Sequence, residues 1–217
     1  MTYQFHPSDS SSLKDKVVVL TGGALGVGAA IVRILYAAGA HVFFGDVLDE
    51  PGRALEKELS TGSNTVKYLH CDVTSYDQNL NLFDTAYKQH DQIDHAIAIA
   101  GLGEQGNMFD AGLTLESVKE EPRKSMSIVD VNLKGPLYFS RIASVYLRQQ
   151  DSKKASSIND KSLTLVSSVA GFREDPGLYV YTPTKHGVLG LMRVLREYVV
   201  ACFGFFRLRS LIFLTGR

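Results

Sequence analysis

Five residues, Lys16-Val-Val-Val-Leu20, run straight into Thr21-Gly-Gly-Ala-Leu-Gly-Val-Gly28, and Ile31, Ile34, Leu35 and Ala38 then recur at helical spacing. Few folds accept that order. A β-branched run suits a strand buried on both faces of a parallel sheet, and Gly39 stands where a helix starting at the turn would stop. Between strand and helix, the glycines let backbone N–H groups approach a pyrophosphate at the helix N-terminus, where the dipole favours negative charge. The alternative is a tight strand–helix turn with no ligand.

The same alternation continues along the chain. His41 to Phe44 is a second strand ending at Gly45-Asp46. An acidic residue about 20 positions beyond the glycine turn is placed to accept both ribose hydroxyls of an adenosine. Its charge repels a 2′-phosphate, and neither Leu25 nor Val47 is basic, so NAD is preferred over NADP. Pro51 to Leu59 reads as a short helix, and Thr65 to Leu69 as a third strand leading to Asp72-Val73. Asp72 is expected at a strand's carboxyl end, where open sheets bind ligands. Leu80, Phe83 and Tyr87 share a face of the next helix. Ile93 to Ala100 is a fourth strand ending in Ala100-Gly101, and 102–124 a long loop over the site. One long helix is expected from about Ser125 to Leu147, carrying Ile128, Val131, Leu137 and Ile142, with Asn132 an awkward interior residue. A polar loop follows over Gln149 to Asn159. Five such strand–helix units make an α/β, doubly wound parallel sheet in one domain.

Leu163 to Ser168 is an apolar run that ends in hydroxyls, and Tyr181-Thr-Pro-Thr-Lys185 starts a helix with Pro183 in its first turn. Tyr181 and Lys185, four apart, stack on one helix face. A free phenol titrates near ~10 and is a poor base at neutral pH, and a neighbouring ammonium favours its ionised form. With a serine hydroxyl to hold an oxygen, the trio suits proton transfer. A surface Tyr and Lys at helical spacing is the competing reading for the pair alone.

Bulk properties exclude other classes. The 217 residues are 45% hydrophobic and 21% charged, with 23 basic and 23 acidic side chains, so no net field points to nucleic acid or a membrane. The two cysteines, Cys71 and Cys202, have no metal-type spacing, and no metal is expected. His90 and His95 are expected as surface and sheet residues. Residues 1–13 read as a flexible polar tail without a secretory signal, ahead of a domain over 14–217, and a cytoplasmic protein is expected.

Taken in order, these pieces resemble the short-chain dehydrogenase/reductase family over roughly Leu13 to Arg196, most closely its fungal members in the stretch Val129 to Leu195, many of which act on secondary metabolites. The family's TGxxxGxG appears as Thr21-Gly22, Gly26-Val27-Gly28; its adenine-contacting aspartate falls on Asp72, its helix asparagine on Asn132, its serine on Ser168, thirteen residues before Tyr181, and its YxxxK on Tyr181 to Lys185. Ser167 is out of that register. The resemblance implies a Rossmann-type fold and an NAD(P)-dependent interconversion of a secondary alcohol and a ketone. Tyr181 would exchange the proton, and Ser168 would bind the substrate oxygen. Lys185 would lower the Tyr181 pKa and hold the nicotinamide ribose, and Asn132 would position a water. Thr21, Gly22, Leu25, Gly26, Val27, Gly28, Asp46, Asp72, Val73, Ala100 and Gly101 would line the cofactor site together with Tyr181 and Lys185. The partner is a small alcohol or ketone, and the family suggests a homo-oligomer.

Two departures stand out. The family's NNAG is here Ala98-Ile99-Ala100-Gly101. From about residue 198 the chain leaves the family pattern: Phe206 to Leu214 suits a sixth strand, but the Pro-Gly turn, substrate lid and seventh strand are missing. A truncated or mis-spliced gene model is the expectation, and the alternative function is a cofactor-binding remnant without turnover.

Overall fold

The computed structural model describes residues 13–60, 62, 64–149, 161–203 and 206–213, with backbone alone for 197–203 and 206–213. All but Leu13 of the tail expected over 1–13, and nearly all of the polar loop at 149–159, lie outside these residues. Six strands form one sheet: β1 (Val17–Thr21), β2 (His41–Asp46), β3 (Val66–His70), β4 (His95–Ala98), β5 (Lys161–Ser168) and β6 (Phe206–Phe213). Their order is β3-β2-β1-β4-β5-β6, all pairs parallel. The chain builds outward from β1 to β3, then returns to place β4 on the other side of β1. That reversal opens a crevice at the carboxyl ends of β1 and β4.

Every residue of β1 is buried, and alternate side chains serve opposite faces. Val17 and Val19 join Phe83, Phe139, Leu163 and Val188 in one core, while Val18 and Leu20 join Val32, Leu35, Phe44 and Leu55 in the other. The first core lies under α3 (Tyr76–His90), α5 (Gly135–Tyr146) and α6 (Tyr181–Phe203), the second under α1 (Gly26–Ala37) and α2 (Asp49–Leu59). Ser75 caps α3, accepting from Gln78 N–H. Phe83 lies in the core with Leu80 and Tyr87 packed against it, His90 meets Phe43 edge-on, and His95 Nδ1 pairs with Ser162 Oγ at 2.9 Å.

Several expected elements change. Helix α2 begins two residues before Pro51, and β3 is shifted one residue later. The fourth strand is half as long as expected: it starts at His95 instead of Ile93, and it stops at Ala98 because Ile99 and Ala100 both turn their N–H groups onto Thr21 O, at 3.3 and 3.2 Å. In α1 the buried stripe is Gly28, Ala29, Val32 and Leu35, and Ile34 is 61% exposed. The long helix is α4 (Arg123–Val129), a π-helical turn over Asp130–Lys134 that contains Asn132, and then α5. A π turn holds one residue more than an α turn, which moves everything after it by roughly 100° around the axis. Leu137, which follows that turn, is 45% exposed.

The amino-terminal end of the sheet is tied by charge. Asp94, 3% exposed, accepts from Val17 N–H at 2.8 Å and from Gln92 Nε2 at 3.2 Å, with Lys16 Nζ 3.9 Å away. Lys161 donates to Ile93 O and Gln149 O; burial lowers its pKa, and the charge of Asp94 works against that shift. Removing the carboxylate leaves the Val17 N–H and a buried ammonium poorly compensated. Asp94→Ala is expected to cost about 2–4 kcal/mol, read as a lower urea midpoint with an unchanged slope.

Candidate active site

Two cavities open at the carboxyl end of the sheet. The larger, about 770 Å³, is lined by Ser168, Tyr181 and Lys185 together with Glu104, Arg173 and Leu178. The smaller, about 420 Å³, is lined by Gly22, Leu25, Val27, Gly28, Asp46, Asp72, Val73, Ala100 and Gly101. Val27, Ile99, Gly101 and Leu102 belong to both, so the two spaces share a wall.

The smaller cavity is shaped by backbone. Gly22 sits at φ +76°, and a Cβ there would come within 2.6 Å of Ala100 Cα. A Cβ at Gly28 would meet Gly22 O at 1.8 Å. Neither position tolerates a side chain, so the turn presents bare backbone beneath the N-terminus of α1. Leu25 supplies no side-chain cap there, leaving that end of the helix open to an anion. Gly26 stands at φ +55° in the same turn, and Thr21, 1% exposed, contributes its carbonyl to the Ile99 and Ala100 bonds. Asp46 is fixed at the rim: Oδ2 accepts from Ala24 N–H at 3.0 Å and Oδ1 from Leu48 N–H at 3.1 Å. Asp72 Oδ1 accepts from Thr74 N–H, and Asp72 N–H donates to Gln78 Oε1. Burial, then the charges of Asp72 and Asp46, push the Cys71 thiol up to about 12, so this wall is a neutral thiol at physiological pH. A bare-backbone cradle at a helix N-terminus, with two carboxylates along one side, fits a dinucleotide.

The larger cavity holds the polar trio. Strand β5 ends at Ser168, whose Oγ accepts from Ala170 N–H as the chain enters a short 3-10 turn over Val169–Gly171. Ser167 Oγ donates to Lys185 O at 2.9 Å and so fastens α6 to β5. Lys185 Nζ lies 5.5 Å from the centre of the Tyr181 ring and 3.3 Å from Val166 O. Burial lowers the pKa of Lys185 from its ordinary 10.5 to about 8. Asn132 stands behind Gly101: a Cβ on that glycine would be 3.3 Å from Asn132 Oδ1 and 3.5 Å from Lys185 Nζ. Its amide is spent on the loop, Oδ1 accepting from Leu102 N–H and Nδ2 donating to Leu102 O, each at 2.8 Å.

One residue had no signal in the sequence. Glu104 reaches across 76 positions to the start of α6, where its carboxylate accepts from Val180 N–H and Tyr181 N–H. Arg173 to Asp175 also line the larger cavity. Among the described residues, no helix is long and apolar enough to cross a membrane.

Residues 16–201 match the sequence model described as short chain dehydrogenase. The short-chain dehydrogenase/reductase ascJ of Acremonium egyptiacum is 36% identical over 89% of this chain and 60% of its own length. The 5'-hydroxyaverantin dehydrogenase of Dothistroma septosporum is 35% identical over 88% of this chain and 65% of its own. This chain therefore spans less than two thirds of the length of either relative. Among solved structures, a short chain dehydrogenase/reductase from Burkholderia phymatum in complex with NAD shares the fold, with TM-score 0.79 at 21% identity over 92% of this chain and 66% of that one.

Lys185 generates a stability prediction. A lysine whose pKa is lower folded than unfolded destabilises the fold while protonated; the penalty is full below about pH 8 and fades as pH rises toward 10.5. Its size is about 3 kcal/mol. Lys185→Met is therefore expected to raise the urea midpoint of the cofactor-free protein at pH 7, with the advantage shrinking between pH 8 and 10. An equal or lower midpoint at pH 7 would show that the ammonium is not desolvated.

Proposed function

We propose that this chain, which belongs to the short-chain dehydrogenase family, interconverts a secondary alcohol and a ketone with a nicotinamide cofactor. The observation that carries this reading is that Ser168, Tyr181 and Lys185 line one cavity whose wall is shared with the glycine cradle. When bound there, the cofactor supplies hydride acceptance or donation at the carbinol carbon. The chain's own residues do the rest. Ser168 holds the substrate oxygen, and Tyr181 removes or returns its proton. Lys185 brings positive charge to that exchange and meets the nicotinamide ribose. Asn132, with its amide committed to Leu102, contributes by holding the shared wall.

The cofactor preference we assign is NAD over NADP. Asp46, fixed by two N–H donors, offers its remaining lone pairs to a pair of ribose hydroxyls and repels a phosphate. The fungal relatives act, by name, in dehydrogenations, and a hydroxylated secondary metabolite is the substrate class we favour. A soluble protein of the cytoplasm and a homo-oligomer complete the proposal.

Two measurements test it. In a turnover screen with NAD and secondary alcohols such as cyclohexanol and α-tetralol, activity should appear and Tyr181→Phe should lower it by about 10²–10⁴-fold, the range of a general acid–base group. NADH bound with no turnover of any alcohol or ketone would leave a cofactor-binding protein without catalysis. In fluorescence titration NADH should bind at least about tenfold more tightly than NADPH, a difference of about 1.4 kcal/mol, and Asp46→Ser should narrow the gap. A preference for NADPH in the parent chain would overturn the role given to Asp46.

A further inference from the structure

The start of α6 can be accounted for donor by donor. Thr182 N–H donates to Leu178 O at 3.0 Å and Thr184 N–H to Val180 O at 3.3 Å, while Pro183 has none to give. That leaves Val180 and Tyr181. Both donate to Glu104, Val180 at 3.2 Å to each carboxylate oxygen and Tyr181 at 2.8 Å to Oε2. Without Glu104, the N–H groups orphaned at this helix end are those of Tyr181 and the residue before it.

The segment around Glu104 is itself anchored. Leu102 is held from both sides by the Asn132 amide, Gln105 O accepts from Ser125 Oγ at 2.7 Å, and Phe109 packs edge-on against Tyr179 with ring centres 5.1 Å apart. The carboxylate therefore works from a fixed base. Its negative charge also matches the positive end of a 23-residue helix. Asn132 holds this stretch from the π-helical turn, and Glu104 extends from it to α6.

We infer that Glu104 is a positioning residue for Tyr181: its carboxylate sets where the first turn of α6 stands and hence where the phenol sits in the larger cavity. The inference rests on the dehydrogenase reading only for its effect on turnover. The clamp itself does not depend on that reading. Because the bonds are to backbone, the effect passes through the position of the Tyr181 main chain and leaves the glycine cradle untouched. Misplacing a reacting group by about an ångström lowers rate by up to roughly 10²-fold.

The test uses the full chain with Glu104→Ala, Glu104→Gln and Glu104→Asp. Glutamine keeps one acceptor oxygen, and aspartate keeps the charge on a shorter arm, so a folded variant remains if alanine fails to fold. Amide exchange by NMR should show Val180 and Tyr181 about tenfold less protected in the alanine or aspartate protein, with glutamine between it and the parent and the rest of α6 unchanged. NADH affinity should stay within about twofold, because Glu104 lies outside the cradle. With NAD and the best alcohol of the screen, kcat should fall about 10- to 100-fold with KM nearly constant, and glutamine should recover part of the loss.

Unchanged exchange at the two amides overturns the clamp. Loosened amides with unchanged kcat overturn the positioning role. Protection lost evenly across the sheet shows a merely structural residue and overturns the inference as well. If the parent chain turns over no alcohol while the two amides still loosen, the dehydrogenase reading fails and the clamp stands.

Discussion

The carbonyl oxygen of Thr21 receives the N–H groups of both Ile99 and Ala100, and the working end of the molecule depends on that joint. It ends the ladder between β1 and β4 at the point where the strand order reverses. It also seats Ala100 against Gly22 so closely that no side chain fits between them. From there the chain runs through Gly101 and Leu102, which wall both cavities. A parallel sheet opens a crevice at such a reversal as a matter of topology. Here one acceptor and two donors decide how the crevice is divided.

What the sequence made legible follows from the range of the interactions involved. Val17 to Thr21 and Leu163 to Ser168 declare themselves as buried strands because every residue in them is buried. The glycine turn is readable because its requirement is local: Gly22 and Gly28 have no room for a Cβ. Ile34 is exposed because spacing alone does not fix the phase of a helix, and the π turn over Asp130–Lys134 interrupts the long helix without any change in composition to announce it. Asn132 was visible as a misfit in a helix, but its partners at Leu102 lie 30 positions away. Glu104 had no signal at all, since an acidic residue in a glycine-containing loop looks the same whether it faces water or a distant helix. The pattern is general: periodicity and steric demand are written locally, while hydrogen bonds between loops and helix ends are not.

Two lysines are buried at opposite ends of the sheet, and the contrast between them is informative. Lys161 opens β5, donates to two carbonyl groups and has the charge of Asp94 nearby to oppose the effect of burial. Lys185, beside the end of the same strand, has its pKa lowered by burial alone. The first is compensated in the manner of a structural charge. The second is held at a cost to the fold, and an ammonium kept that way beside a phenol is a pattern that physical reasoning associates with chemistry more than with packing.

Asp46 carries a consequence of its own. Each of its oxygens already accepts a backbone N–H, one from the glycine turn and one from the residue after next, and the Tyr68 hydroxyl lies 2.8 Å from its carbonyl. Such a carboxylate is not free to swing aside for an ill-fitting guest. The rim is therefore stiff: on the cofactor reading proposed above, a visitor bearing an extra phosphate would meet a carboxylate with little room to retreat, with no second residue needed to refuse it.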